Sequence, residues 1–208
     1  IQPHGPYRIG GYCFGGNIAY EMACQLEAAG ETVSLLALLN AWPANSGHDR
    51  ITWSPRTAVK FAVNVGYWTM RWWQWPVKTR LRFFSWKAKT AKKKISRWLG
   101  SRKPRDESEV ELLVDLSEVS AGERKLWQAH LRALNDFHPR PYGGRITLLR
   151  TSGYPFHSSF DDAHGWRALA GERVVVRFVP GMHETIMVDP FVVSLARELK
   201  SELGVHCN

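Results

Sequence analysis

The sequence predicts an α/β fold built on a parallel sheet. Three observations carry that expectation. The run at 33–39 (Val, Ser, Leu, Leu, Ala, Leu, Leu) is continuously apolar, as suits a strand covered on both faces. A helix-period segment separates it from an earlier strand at 7–11, which makes a βαβ unit with the usual right-handed crossover. Two more strand-like runs, 145–150 and 174–179, follow later, and an amphipathic helix comes after the second. A length of 208 residues fits one domain, 1–208, and 44% apolar residues is ordinary for a globular chain.

The elements follow from local chemistry. After the loop Pro3-His4-Gly5-Pro6, the strand at 7–11 leads into a helix at about 17–29. That helix should bury Ile18, Met22 and Leu26, with Ala19 and Ala23 beside them, and stop at Gly30. Ala41-Trp42-Pro43 breaks the pattern, and a long insertion follows, about 43–122, with the chain returning to the sheet near Arg140. Late in that departure, Ser120-Ala121-Gly122-Glu123 is a capping box, with Leu126, Trp127, Leu131 and Leu134 on one helical face. Gly100-Ser101-Arg102-Lys103-Pro104-Arg105 reads as a loop. The loop at 180–184 leaves the last strand, and the final helix, 190–203, stacks Phe191, Leu195, Leu199 and Leu203.

The chemistry centres on Gly11-x-Cys13-x-Gly15, placed between strand and helix. This is the nucleophile-elbow pattern G-x-S-x-G with sulfur for oxygen. The tight turn strains the nucleophile, and its glycines let neighbouring backbone pass close by. The helix N-terminus favours a thiolate at Cys13, and the Phe14 N–H suits a developing oxyanion. A dinucleotide fingerprint needs glycine near Tyr12 or Cys13, and a P-loop needs Gly-Lys-Ser/Thr; neither is present. A buried structural cysteine is the competing reading.

In an open parallel sheet, active residues gather beyond the carboxyl ends of the strands. Cys13, Asn40 and His183 each follow a strand. They suit nucleophile, orienter and base: the imidazole takes the thiol proton and later activates water or another acceptor. Taken singly, His183 reads as a solvated loop histidine and Asn40 as a turn residue. Asp161 and Asp162, after the third strand, are the reserve partners for the imidazole.

Cys13, Cys24 and Cys207 are odd in number and far apart, so they suggest neither a disulfide framework nor a metal site. With no signal peptide and no uncharged run of about 18 residues, a cytoplasmic setting is expected. The chain starts at Ile1 rather than Met, which suggests a piece of a longer protein. The net charge of +9 is concentrated: from Arg50 to Arg105 there is no Asp or Glu, but there are sixteen of the 28 Lys and Arg and seven of the ten Trp.

The chain resembles the thioesterase domains of nonribosomal peptide synthetases and polyketide synthases. The matching stretches run from Pro6-Tyr7-Arg8-Ile9-Gly10-Gly11-Tyr12-Cys13-Phe14-Gly15-Gly16 to Ala23, then Leu36-Ala37-Leu38-Leu39-Asn40, Tyr142-Gly143-Gly144-Arg145-Ile146-Thr147-Leu148 and Val179-Pro180-Gly181-Met182-His183-Glu184-Thr185. The resemblance implies an α/β-hydrolase fold with a helical lid at about 43–122. It implies release of acyl or peptidyl chains from a phosphopantetheinyl carrier protein, or from CoA, through a covalent acyl-enzyme. No bound cofactor is implied; the substrate itself rides on phosphopantetheine. The nucleophile maps to Cys13, the histidine to His183 and the acid to Asn40.

This sequence departs from the family at three points. Cys13 stands for the usual Ser, and Asn40 for the usual Asp. The two changes are chemically coherent, since a thiol needs less help than a hydroxyl from a charged group behind the imidazole. The family also has further strands before the one at 7–11, so this chain is expected to lack the first strands and one oxyanion N–H. A rival reading is a catalytically impaired carrier-docking module of the same fold. As a lid, the basic, Trp-rich insert shapes an acyl pocket and attracts an acidic carrier. It also suits weak contact with an anionic membrane through Trp68, Trp72, Trp73, Trp75, Phe83, Phe84 and Trp86, or it is an ordinary solvated lid. No nucleic-acid motif accompanies it, so no nucleic-acid partner is expected.

Overall fold

The computed structural model describes residues 2–45, 53–74, 77, 80, 81, 85, 120–153, 160–183 and 185–204. Among these, strand β1 (Tyr7–Tyr12) leads into helix α1 (Phe14–Ala28), and β2 (Val33–Leu39) follows. Helix α2 (Pro55–Gln74) and α3 (Ala121–Asp136) come next, then β3 (Ile146–Thr151), the one-turn α4 (Arg167–Ala170), β4 (Val174–Val179) and α5 (Phe191–Glu202). The expected loop at 100–105 lies outside the described residues, as do the side chains of Trp72, Trp75, Phe83, Phe84 and Trp86 and residues Glu184 and Cys207. The chain divides into two compact units. One comprises Ile1–Gly66 with His138–Asn208, the other Tyr67–Phe137.

In the first unit the four strands lie in the order β1-β2-β3-β4, and every neighbouring pair is parallel. Tyr12 is level with Leu39 and Leu39 with Leu149, while Thr151 is level with Val179, so β1 and β2 end together and β3 and β4 run two residues further at the same edge of the sheet. Parallel pairing forces each return crossing to start from that same edge. The residues that leave it, Cys13, Asn40 and the 180–183 loop, are thereby delivered to one rim.

Alternation along β2 sorts its side chains onto two faces. Ala37 joins Leu149, Val179, Ile186 and Leu195 in one buried cluster, with Tyr12, Leu35, Leu39 and Leu199 packed against it. Leu195 and Leu199 of α5 therefore meet the sheet, as their four-residue spacing predicts. Burying a leucine such as Leu195 contributes roughly 1.5–3 kcal/mol. On the other face Leu38 lies over α1, within 3.8 Å of where a Cβ on Gly16 would stand.

Helix α1 packs through one edge of the face the sequence predicts: Ala19 and Ala23 are buried as expected, but Ile18 and Met22 are not. Gly16, Asn17, Ala19, Tyr20, Ala23 and Cys24 are buried, whereas Ile18 and Met22 are half exposed. The cause is distance. A helix over a sheet of leucines sits close only through small residues, and a Cβ on Gly16 would already be 2.4 Å from that of Ala41. The end of α1 is as expected: Gly30 takes φ +78° and its N–H bonds the Glu27 carbonyl.

Tyr20, Tyr142 and Trp166 form an aromatic group beneath α1, with Tyr20 and Trp166 ring centres 4.8 Å apart. The Tyr20 hydroxyl donates to the Arg140 carbonyl at 2.6 Å. Glu202, at the end of α5, accepts from Arg145 at 2.7 Å, Arg177 at 2.9 Å and Thr147 Oγ1 at 3.2 Å, fastening α5 to β4, to β3 and to the residue before it.

In the second unit, Ser120 and Glu123 form the expected reciprocal capping box, and these bonds hold the Glu123 carboxyl below its ordinary value. The predicted apolar face of α3 is only partly sheltered: Leu126 is exposed, and Trp127 and Leu134 are half-buried. The Leu131 side chain lies outside the described residues. Trp73 is exposed, and Arg80 lies 5.8 Å over its ring.

Candidate active site

The elbow begins with β1 meeting α1 across a single residue. Cys13 sits there at φ 53°, ψ −121°, a conformation L side chains rarely adopt. Its N–H bonds the Leu39 carbonyl at 3.0 Å, and its carbonyl receives the Gly16 N–H at 3.0 Å. The turn is tight because two backbones touch: a Cβ on Gly11 would lie 2.0 Å from the Gly15 oxygen. Gly15 itself has open space where a side chain would project. The sequence reading treats Gly11 and Gly15 alike, but the sterically required pair is Gly11 and Gly16. Phe14, whose N–H is the oxyanion candidate, is the first residue of α1.

Asn40 leaves β2 at φ 47°, a left-handed position that Asn tolerates better than most residues. It is 4% exposed, and its N–H bonds the Leu149 carbonyl at 2.7 Å. Its amide lies between two strand exits. Oδ1 accepts from the Thr151 N–H at 3.1 Å, and Nδ2 stands 2.9 Å from His183 Nδ1.

His183 is held on further sides. Tyr12 stacks on its ring at 5.0 Å between centres, and the Tyr12 hydroxyl donates to the His183 carbonyl at 2.5 Å. Trp42 lies tilted against the same ring at 5.7 Å. Since Tyr12 precedes Cys13, these contacts bring the loop after β4 to the elbow. His183 and Asn40 thus meet across 143 residues of sequence.

The two reserve carboxylates lie elsewhere. Asp161 accepts from the N–H groups of Ala163 and Gly165 through its separate oxygens, which closes its own turn. Asp162 pairs with Lys60 at 3.4 Å. Asn40, not either aspartate, stands against the imidazole.

Tyr12, Trp42 and Thr151 are contacts that sequence reasoning does not anticipate. The clue to Tyr12 was an aromatic residue inside the elbow itself; nothing in the sequence marks Thr151. Among the described residues no group of His, Cys, Asp and Glu is placed to hold a metal. No described helix is long and apolar enough to cross a membrane.

A model of the thioesterase domain family matches residues 1–203. The chain belongs to that family. Chondramide synthase cmdD of Chondromyces crocatus is 25% identical over 98% of this chain. Enterobactin synthase component F of Escherichia coli K12 is 52% identical over 20% of it. The matched stretches amount to 5% of the first of those proteins and 3% of the second.

Among solved structures, the NocB thioesterase domain in covalent complex with a fluorophosphonate nocardicin G analogue gives a TM-score of 0.55 at 25% identity. That match covers 98% of this chain and 69% of the other. The thioesterase domain SrfTE, described for cyclisation of surfactin, gives 0.56 over 99% of this chain and 71% of its own. At 15% identity that likeness speaks for the fold alone. The fold is of the α/β-hydrolase type that the resemblance implied.

Proposed function

We propose that this thioesterase domain takes an acyl or peptidyl chain from a phosphopantetheinyl carrier protein, or from CoA, onto Cys13. The thiolate sulfur bonds the acyl carbon, the carbon–sulfur bond to the carrier breaks, and the carrier leaves as a thiolate that takes a proton from solvent. The Phe14 N–H steadies the oxyanion as it forms. His183 is the partner of the sulfur, and Asn40 positions His183.

One observation carries this reading. A cysteine in a strained turn at the head of a helix is preceded by a tyrosine that grips the loop of a histidine, and that histidine rests on the residue ending the next strand. A structural cysteine has no need of φ 53° or of such neighbours. The basic insert, by its charge, suits an acidic carrier.

The test is intact-mass spectrometry with an acyl N-acetylcysteamine thioester, followed by peptide mapping. An acyl adduct on Cys13 is the expected result; turnover with no adduct there removes Cys13 as nucleophile. The rival, a carrier-docking module without chemistry, predicts a Cys13 inert to iodoacetamide near pH 7. Cys24 is the internal control, being buried with its thiol pushed up by that burial.

A further inference from the structure

The amide of Asn40 stands between the Thr151 N–H and His183 Nδ1, and its oxygen is its one acceptor. A backbone N–H only donates, so the Thr151 N–H fixes the Asn40 oxygen on its side at 3.1 Å. Thr151 Oγ1 lies 3.3 Å from the same oxygen. The NH2 end is therefore the end that faces His183 Nδ1, at 2.9 Å, and an amide NH2 only donates. Nδ1 must accept. A neutral imidazole that accepts at Nδ1 carries its proton on Nε2.

A working triad needs the opposite arrangement, with Nδ1–H donated to the third residue and a lone pair on Nε2. A carboxylate satisfies both donors at once with its two oxygens; an amide cannot. We propose that Asn40 is a positioning residue that holds His183 in the Nε2–H form, and that the site consequently moves acyl groups between thiols rather than to water. The inference rests on the acyl-enzyme reading above. It differs from the sequence expectation that the imidazole takes the thiol proton and later activates water or another acceptor.

The chemistry separates the two acceptors. A thiol is roughly a few per cent ionised near neutral pH without assistance. Loading therefore proceeds as thioester exchange: Cys13 sulfur bonds the acyl carbon and the donor thiolate departs. Unloading is the same step in reverse, with an incoming thiolate bonding the acyl carbon and Cys13 leaving as thiolate. Water is far less acidic and needs a base to give up its proton. With Nε2 already protonated, that base is withheld and the acyl-cysteine persists.

The experiment loads the full protein and its Asn40→Asp variant with an octanoyl N-acetylcysteamine thioester, then follows the Cys13 adduct by intact mass. Wild type should keep the adduct in buffer and discharge it on adding coenzyme A, with octanoyl-CoA as product. Asn40→Asp should hydrolyse it roughly 10²-fold faster, the low end of what a positioned base contributes. Equal hydrolysis rates in the two proteins would overturn the role of Asn40 while leaving Cys13 as nucleophile. No adduct in either overturns the acyl-enzyme reading itself, and this proposal with it. A second measurement needs no variant: ¹⁵N shifts of His183 in wild type should show the Nε2–H tautomer, and an Nδ1–H signature overturns the proposal.

Discussion

Gly11 and Gly15 meet backbone to backbone, with the Gly15 oxygen standing where a side chain on residue 11 would begin, 2.0 Å from its Cβ. The contact lets a strand turn into a helix within one residue, and it constrains the two glycines unequally. Gly11→Ala should lower unfolding free energy by at least about 3 kcal/mol, the upper range for forcing atoms into filled space. Gly15→Ala should change it by no more than about 1 kcal/mol, since that site is open and alanine favours a helix. Urea denaturation of the two variants checks the contrast.

Cys13 carries the strain of the elbow in its own backbone, at φ 53° and ψ −121°. Glycine adopts such angles freely. Cys13→Gly should abolish acyl loading yet raise stability by about 1 kcal/mol, within the range for a strained active-site residue. A melting temperature below that of wild type would show that the thiol packs more favourably than its backbone is strained.

The Tyr12 hydroxyl holds the His183 carbonyl, and its ring supports the imidazole. Tyr12→Phe keeps the stacking and loses one hydrogen bond of about 1 kcal/mol. With the His183 Nε2–H steadying the Cys13 thiolate, acyl loading should slow about fivefold with KM nearly unchanged, and Tyr12→Ala should slow it further. A rise in KM at constant kcat would instead make Tyr12 a substrate contact.

Much of the frame was legible in the sequence, because apolar runs and caps are local. Strands β2 and β4 fall where their patterns end, and the Ser120–Glu123 box is read from two residues. The face of α1 was not legible. Periodicity favours Ile18 and Met22 with Ala19 and Ala23 beside them; the sheet takes the alanine side, which permits close approach, and this choice depends on the partner surface. The site shows the same division. Cys13, Asn40 and His183 stand out by residue type and strand-end position. The amide orientation at Asn40 depends on a backbone N–H from β3, which could have come from any residue there.

Glu202 is a further test of the frame. Its side chain is 6% exposed, while its partners Arg145 and Arg177 are about half exposed. Glu202→Ala should cost about 2 kcal/mol, less than a fully buried pair because solvent screens both guanidinium groups. Double-mutant cycles with Arg145→Ala and Arg177→Ala apportion the loss.

Burial holds the Tyr20 hydroxyl, the Cys24 thiol and the Tyr142 hydroxyl above their ordinary values. Raised folded values mean that the folded state binds these protons more tightly than the unfolded chain. The stability they carry is full below the unfolded values, about 8.5 for cysteine and about 10 for tyrosine. It is lost as pH rises through the folded values. Unfolding free energy should therefore change little from these groups between pH 6 and 8 and decline above about 8.5. Tyr20→Phe should cost about 1 kcal/mol at pH 7, from its bond to the Arg140 carbonyl, and make the alkaline decline shallower.

Ala41 is pinned from both sides. Its carbonyl takes the Trp166 indole N–H at 3.0 Å, and its methyl group fills the hollow left by Gly16. The backbone next to position 40 is thus set by Trp166 and Gly16. It behaves as a socket whose walls are built by Ala41, Trp166 and Gly16, so an exchange of amide for carboxylate at position 40 leaves the surrounding scaffold standing.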